Sequence, residues 1–192
     1  YSYLPKNTPV IVEPKIDGCA MAVRYVDGLL VKAWTRKGID KTYCMRMIED
    51  LPKHIIAKGT VDIRGELYGK GLIPARSQRL AAGHLRKKQP SGMGLSFCAF
   101  QIFDGKGTEV SNLQQLVKWG FHVCGHIKVN KDVVNKVKQL HSQWQDSLIF
   151  SRYPTDGIVV KVLDKDLQDK IGRTSIAPSW ATAIKDTWKK TW

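Results

Sequence analysis

Residues 19–34 ("CAMAVRYVDGLLVKAW") constrain the fold most, because two apolar, β-strand-like runs flank the pair Asp27-Gly28. An Asp-Gly pair in this setting predicts a two-residue hairpin, since a type I′ turn needs residues that tolerate positive φ. Strands joined by so short a turn must be antiparallel. A doubly wound parallel sheet is therefore not expected.

Further strand-like runs are rich in β-branched and aromatic residues and are broken by Gly and Asp. They lie at residues 9–15, 59–69, 94–103, 156–164 and 180–186. Helical patterns occur at residues 73–88, 111–120 and 132–144. Ser111 is the predicted N-cap of the second helix, with Leu113, Leu116 and Val117 on its apolar face. This order predicts an α+β domain with antiparallel sheets and packed helices.

The chain is strongly basic, with 31 Lys and Arg against 17 Asp and Glu in 192 residues, a formal net charge of +14. An excess of this size suits a polyanionic partner, through phosphate contacts and counterion release. Solubility alone also explains it, and charge by itself leaves both interpretations open. No apolar run is long enough to span a membrane, and the composition is that of a soluble globular protein.

Four cysteines, Cys19, Cys44, Cys98 and Cys124, are far apart in the sequence and form no CxxC pair. No histidine stands at a spacing typical of zinc ligands, and the five histidines suggest no acid–base role. We expect reduced core cysteines in a cytosolic protein and no zinc site.

A K-x-D-G tetrapeptide, Lys15 to Gly18, ends the first apolar run. Lysine is a nucleophile only when deprotonated, and its reference pKa is about 10.4. Covalent catalysis by lysine therefore needs desolvation or cationic neighbours. Asp17 lies two residues along the strand and could orient the amine of Lys15. A surface ion pair is the ordinary interpretation of so short a motif on its own.

Further motifs follow the tetrapeptide in order: WTRKG at 34–38, IRGELYG at 63–69, SFCAF at 96–100, DGIVVKV at 156–162 and WATAIKD at 180–186, with AAGHLR at 81–86 and IGRTSIAPSWATAIK at 171–185 as linking stretches. Through this set the chain resembles the covalent nucleotidyltransferases, and among them the adenylation domain of NAD-dependent DNA ligases. The resemblance covers essentially residues 1–192. It implies an α+β nucleotidyltransferase fold, the ATP-grasp-like ligase core.

The resemblance also implies a reaction. Lys15 would attack the α-phosphate of NAD, release nicotinamide mononucleotide and become lysyl-AMP, whose AMP is then transferred to the 5′-phosphate of nicked DNA. Asp17 and Lys185 complete the implied catalytic set. Lys185 would reach the α-phosphate and offset the charge that develops there.

For cofactor binding the resemblance implies a larger set: Glu13, Lys15, Arg36, Glu66, Phe100, Lys161 and Lys185. Glu13 would accept a hydrogen bond from the adenine amine. Phe100 would stack on one face of the adenine and Lys161 would cover the other. Arg36 and Glu66 would hold the ribose hydroxyls.

Two further partners are implied. Mg²⁺ would be held by Glu66 and Asp156. Nicked duplex DNA would contact a basic group beside the site: Arg76, Arg79, Arg86, Lys87 and Lys88. The enzyme is expected to act as a monomer without membrane contact, in DNA repair and replication, in a bacterial cytoplasm or a phage-infected cell.

The sequence departs from the family pattern at positions that contact DNA and phosphate. Gln78 stands where an arginine is expected, Arg36-Lys37-Gly38-Ile39 replaces an Arg-Gly-Asp-Gly turn, and Leu148 replaces another arginine. A divergent member, such as a minimal bacterial or phage enzyme, is indicated. The resemblance implies that residues 1–192 are the catalytic core alone, either cut from a longer protein or one piece of a split enzyme. The expected nicotinamide-mononucleotide-binding domain upstream and the OB, zinc, helix-hairpin-helix and BRCT domains downstream are not in this sequence.

Two alternatives stay open. An ATP-dependent polynucleotide ligase or an RNA-capping relative shares the K-x-D-G chemistry. A non-catalytic basic module could also have kept the fold and bind nucleic acid, although the intact set of Lys15, Glu66, Lys161 and Lys185 argues against loss of catalysis.

Overall fold

The computed structural model describes residues 7–172 and 178–186, which form eight strands and five helices. The strands are β1 (Val10–Ile16), β2 (Cys19–Val26), β3 (Leu29–Thr35), β4 (Thr60–Gly69), β5 (Leu95–Ile102), β6 (Ile127–Val129), β7 (Thr155–Val162) and β8 (Ala181–Lys185). The helices are α1 (Thr42–Arg46), α2 (Pro74–Arg86), α3 (Glu109–Lys118), α4 (Val133–Gln145) and α5 (Lys165–Ile171). The sequence did not predict α1, β6 or α5.

The strands form two antiparallel four-stranded sheets. The first sheet has the order β6-β1-β7-β8, and the second has the order β3-β2-β4-β5. The predicted hairpin joins β2 to β3, and both of its turn residues have positive φ, 46° at Asp27 and 84° at Gly28. The α+β class with antiparallel sheets is thus confirmed.

Strand β1 lies between the two main hydrophobic cores, so successive side chains enter different cores. Val10 and Val12 pack in the core that the first sheet shares with α4, whereas Ile11 packs in the larger core of the second sheet and helices α1 to α3. Glu13 follows the same alternation and leaves β1 on the side of Ile11, toward the second sheet. Beyond it the register with β7 is irregular between Pro14 and Ile16, and Ile16 packs with Tyr68 and Cys98 of the second sheet.

Helix α3 differs from its prediction at two positions. Its N-cap is Thr108 rather than Ser111, because the Thr108 hydroxyl accepts a hydrogen bond from the Ser111 backbone N–H at 3.2 Å. Leu113 and Leu116 are buried as expected, but Val117 remains 59% exposed. Helices α2 and α4 lie where the sequence predicted them, within two residues at each end.

The prediction of four reduced cysteines is wrong for two of them. Cys98, on β5, forms a disulfide with Cys124, in the segment that leads to β6. Cys19 and Cys44 are free thiols. The pair was not predictable from spacing, because it depends on how α3 returns the chain to β5. None of the helices in the described ranges is long and apolar enough to cross a membrane.

Candidate active site

A cavity of about 630 Å³ lies between the two sheets and is lined by most of the predicted site residues. They come from four strands and two loops: Glu13 and Lys15 from β1, Glu66 from β4, Phe100 from β5 and Lys161 from β7, with Asp17 and Arg36 just beyond β1 and β3. A cavity of this size is within the range of small-ligand sites. The fold therefore gathers residues that are up to 148 positions apart in the sequence, from Glu13 to Lys161, around one space.

Two lysines meet on one carboxylate beside this cavity, and of these three residues only Lys15 lines it. The Lys15 ammonium donates to Asp156 Oδ1 at 2.7 Å, and the Lys185 ammonium lies 3.2 Å from Asp156 Oδ2. Neighbouring β7 and β8 place Lys185 here, since Gly157 and Lys185 are register partners. A Cβ on Gly157 would lie 2.3 Å from the Ile184 carbonyl oxygen, so the close approach of these strands requires glycine.

The carboxylate that pairs with Lys15 in the described ranges is Asp156, not Asp17. Strand β1 ends at Ile16, and the Asp17 N–H donates to the Pro154 carbonyl, which turns the chain out of the strand. The side chain that holds the Lys15 ammonium is therefore that of Asp156. Burial and the negative charge of Asp156 raise the pKa of the Asp17 carboxyl.

Gly18, the last residue of the tetrapeptide, packs directly against β4. A Cβ at this position would lie 2.1 Å from the Leu67 carbonyl oxygen. The Gly18 N–H also donates to Glu66 Oε1 at 3.2 Å. The glycine therefore lets the loop after Lys15 contact the backbone of β4 and hold the Glu66 side chain.

The Glu66 carboxyl is a weaker acid than an ordinary glutamate. Burial raises the pKa of its carboxyl to about 8, against the opposing effects of the Gly18 hydrogen bond and the Lys15 charge. The neighbouring carboxylates of Asp17 and Asp156 add to the rise. Near neutral pH the Glu66 carboxyl therefore retains its proton, with the carboxyl groups of Asp17 and Asp156 close to it.

A buried ion-pair cluster forms the other end of the cavity. The Lys161 ammonium lies 2.7 Å from Glu13 Oε2 and 3.6 Å from Glu109 Oε2, and all three residues are buried. Burial disfavours the ammonium, but the two carboxylates outweigh it, so the pKa of Lys161 is raised. The sequence did not reveal Glu109, because an acid in the first turn of a helix usually has a capping role.

Phe100 lies beside this cluster. Its carbonyl oxygen accepts a hydrogen bond from the Lys161 ammonium at 3.2 Å, and the ammonium is 5.5 Å from the centroid of its ring. In the described part of the chain, Glu13 Oε1 is buried and has no hydrogen-bond partner. An aromatic face and an unused carboxylate oxygen therefore border the same cavity. The placement of a base between Phe100 and Lys161 stays a prediction.

The five basic residues predicted to contact DNA do not line the cavity. They are exposed on α2 and directly after it: Arg76, Arg79, Arg86, Lys87 and Lys88. One of them acts on a residue next to Gly18. Burial raises the pKa of the Cys19 thiol to about 11, and the positive charge of Arg86 opposes this rise.

The model of one protein family matches nearly the whole chain, over residues 2–72 and 70–188. Its description is NAD-dependent DNA ligase adenylation domain. The chain belongs to this family. The resemblance seen in the motifs is thereby confirmed.

Similar curated proteins are DNA ligases. The chain is 32% identical over 208 residues to the DNA ligase of Pelobacter propionicus and 33% identical over 195 residues to that of Anaplasma phagocytophilum, with 92% of the chain covered in each case. It spans 29% and 28% of the lengths of these two ligases.

Solved structures of DNA ligases share the fold. A Lig E DNA ligase superposes with a TM-score of 0.59 at 17% identity, covering 97% of this chain and 66% of the other. The ATP-dependent DNA ligase of bacteriophage T7, in complex with ATP, gives a TM-score of 0.51 at 15% identity, with 81% and 57% covered. The nucleotidyltransferase architecture expected from the resemblance is confirmed.

Proposed function

We propose that the chain catalyses the adenylation step of an NAD-dependent DNA ligase, with Lys15 as the nucleophile. After its proton has passed to water, the Lys15 nitrogen forms a bond to the α-phosphorus of NAD, and the bond from that phosphorus to the bridging oxygen breaks. Nicotinamide mononucleotide leaves with this oxygen, and Lys15 carries AMP. The AMP would then pass to the 5′-phosphate of nicked DNA.

The observation that carries this proposal is the meeting of Lys15 and Lys185 on Asp156 beside the cavity. The hydrogen bond to Asp156 orients the Lys15 nitrogen, which lines the cavity, and so reduces the motion that must be lost before attack. The Lys185 ammonium places a second positive charge 3.2 Å from the same carboxylate. That charge would offset the negative charge that develops on an α-phosphate beside Lys15.

The residues at the opposite end of the cavity suit a nucleotide base, which would be the other half of the ligand. The free oxygen Glu13 Oε1 is a buried acceptor, and an exocyclic adenine amine is a donor that would satisfy it. The Phe100 ring borders the same cavity and offers an aromatic face for stacking. Lys161 fixes the Glu13 carboxylate through the oxygen that is already paired, Oε2.

Mg²⁺ fits the acidic side of the site. Asp17 and Glu66 both have raised pKa values, in part because neighbouring carboxylates repel one another, and a divalent cation would relieve this repulsion. Carboxylate oxygens are the ligands that Mg²⁺ prefers. Glu66 and Asp156 would hold the ion, which would supply charge neutralisation at the phosphates when bound.

The nucleotide donor separates this proposal from its nearest alternative. The family model supports NAD, whereas the bacteriophage T7 neighbour is an ATP-dependent ligase. Incubation with NAD or ATP and Mg²⁺, followed by chromatography of the small-molecule products, tests the proposal. We expect nicotinamide mononucleotide to be released in a one-to-one ratio with protein-bound AMP. Release of pyrophosphate from ATP, with no reaction of NAD, would establish the alternative.

A further inference from the structure

Three side chains that bind soft metal ions come together at the wall of the cavity. Cys98, His122 and Cys124 each offer one ligand atom, and these atoms all lie within 4.8 Å of one another. Both cysteines are buried, with 3% and 8% of their surface exposed, and both line the cavity. The adenylation chemistry proposed above uses none of the three.

The backbone fixes this arrangement. Cys98 and His122 form an isolated parallel β-bridge, and the Ala99 N–H donates to the His122 carbonyl at 2.9 Å. Cys124 follows two residues later, so its side chain returns to the same side of β5. The main chain therefore holds Cys98 and His122 together independently of the sulfur atoms.

A neighbouring hydroxyl orients the imidazole. The Tyr68 hydroxyl is 3.2 Å from His122 Nε2 and is itself largely buried, with 5% of the residue exposed. This contact engages Nε2 and leaves Nδ1 as the nitrogen for an ion. Metal-binding histidines commonly use one ring nitrogen for the ion and the other for a hydrogen bond that fixes the ring.

We propose that Cys98, His122 and Cys124 bind one Zn²⁺ ion when the chain is reduced. A dithiol reductant supplies two electrons and two protons to the Cys98–Cys124 disulfide and is itself oxidised to a disulfide. The two thiols formed then release one proton each as Zn²⁺ binds, which gives two Zn–S bonds and one Zn–N bond. Two thiolates and an imidazole are a ligand set that Zn²⁺ prefers, and water can complete a tetrahedral site.

The position of the site indicates a structural role for the ion. Cys98 belongs to the second sheet, whereas Cys124 lies in the segment that leads to β6 of the first. Both pack with Ile16, the residue after Lys15. A zinc ion here would tie the two sheets together beside the nucleophile, and the cavity gives the ion a path to its ligands. Zinc binding should therefore stabilise the folded chain.

The test uses the whole chain, reduced with a dithiol and then transferred to anaerobic, reductant-free buffer. Added ZnCl₂ should remain bound after gel filtration at one ion per chain, measured by elemental mass spectrometry, and should raise the melting temperature. Added CoCl₂ should give the visible bands of tetrahedral Co²⁺ and a near-ultraviolet thiolate-to-metal band. The variants Cys19→Ser and Cys44→Ser are matched controls, since neither thiol belongs to the cluster, and both should bind one ion.

Cys124→Ser should abolish stoichiometric binding, and Tyr68→Phe should weaken it about tenfold, the scale for a lost hydrogen bond to a metal-bound histidine. The wild-type chain also provides a comparison that needs no variant, because the oxidised form should bind no Zn²⁺. Equal binding by the oxidised and reduced chains would overturn the proposal. So would retention of Zn²⁺ by Cys124→Ser, or absence of Zn²⁺ and of the Co²⁺ bands from the reduced wild type.

Discussion

Lys15 donates a hydrogen bond to Asp156 at 2.7 Å, although the two residues are 141 positions apart in the sequence. The contact joins the end of β1 to the start of β7, and Lys185 of β8 approaches the other oxygen of the same carboxylate. Asp156 therefore sets the relative positions of the proposed nucleophile and of the lysine proposed to reach the phosphate. From the sequence alone, Asp17 of the tetrapeptide was the residue predicted to orient Lys15.

Asp156→Asn should slow formation of the AMP adduct by about 100-fold, the scale of losing the placement of a reacting group. The amide keeps the shape of the side chain but removes the charge that holds both lysines. The rate is measured by intact mass spectrometry during reaction with NAD and Mg²⁺. Asp62→Asn is the control, because Asp62 pairs with Arg24 on the second sheet instead. An unchanged rate in Asp156→Asn would show that the carboxylate does not position Lys15.

Phe100→Ala should weaken AMP binding by about 1–3 kcal/mol, the range for a lost stack of a base on an aromatic ring. Isothermal titration calorimetry with AMP measures the effect. Phe103→Ala is a matched control, since Phe103 lies three residues along the chain and does not line the cavity. Equal affinities for the wild type and Phe100→Ala would assign Phe100 to packing alone.

The raised pKa of Glu66 predicts a pH-dependent contribution to stability. The folded chain keeps this proton between pH 4.5 and about 8, where the unfolded chain releases it, so the free energy of unfolding falls as the pH rises across that window. One such proton corresponds to a slope of up to about 1.4 kcal/mol per pH unit. Urea unfolding at several pH values within the window measures the slope.

Glu66→Gln is the comparison for this slope, because glutamine keeps the size of the side chain and does not titrate. The difference in unfolding free energy between the wild type and Glu66→Gln should shift in favour of the variant as the pH rises. Parallel curves for the two proteins would mean that the Glu66 carboxyl titrates near its ordinary range in the folded chain.

The basic surface at α2 predicts weak DNA binding that depends strongly on salt and not on base sequence. Each lost phosphate contact should reduce the slope of log affinity against log salt by about 0.9. Gel shifts over a salt series should therefore show a shallower slope when five residues are changed to alanine: Arg76, Arg79, Arg86, Lys87 and Lys88.

The control for this surface carries the same change in net charge at other exposed positions: Lys106, Lys118, Lys131, Lys136 and Lys138. A control variant that loses as much affinity and slope as the α2 variant would show that net charge, and not this surface, determines binding. Tight binding that salt does not weaken would contradict phosphate recognition altogether.

Much of the fold was predictable because local chemistry specified it. The Asp27-Gly28 turn needs positive φ, and the strand and helix patterns around it need one buried face each. The ends of α3 were less predictable, since Thr108 and Ser111 are both good N-caps and the structure uses Thr108. Cys98 and Cys124 could not be paired from the sequence, because their contact depends on how two sheets meet.

The sequence predicted most of the candidate residues that gather at the cavity, but it did not predict the contacts among them. The motifs located Lys15, Lys161 and Lys185, yet only the structure shows that Lys15 pairs with Asp156 and that Lys161 lies between Glu13 and Glu109. These pairings join β1, β7 and the start of α3. Linear spacing carries no information about such distances across a fold.

Lys15 is the residue proposed to carry AMP, and the location of the adduct on the chain tests this assignment. The wild type and Lys15→Arg are incubated with NAD and Mg²⁺ at high protein concentration, and both are analysed by intact mass and by peptide mapping. We predict one AMP per chain on Lys15 in the wild type and none in Lys15→Arg, with both proteins folded by circular dichroism. An AMP adduct on Lys185 or any other residue, or an adduct that persists in Lys15→Arg, would contradict the account.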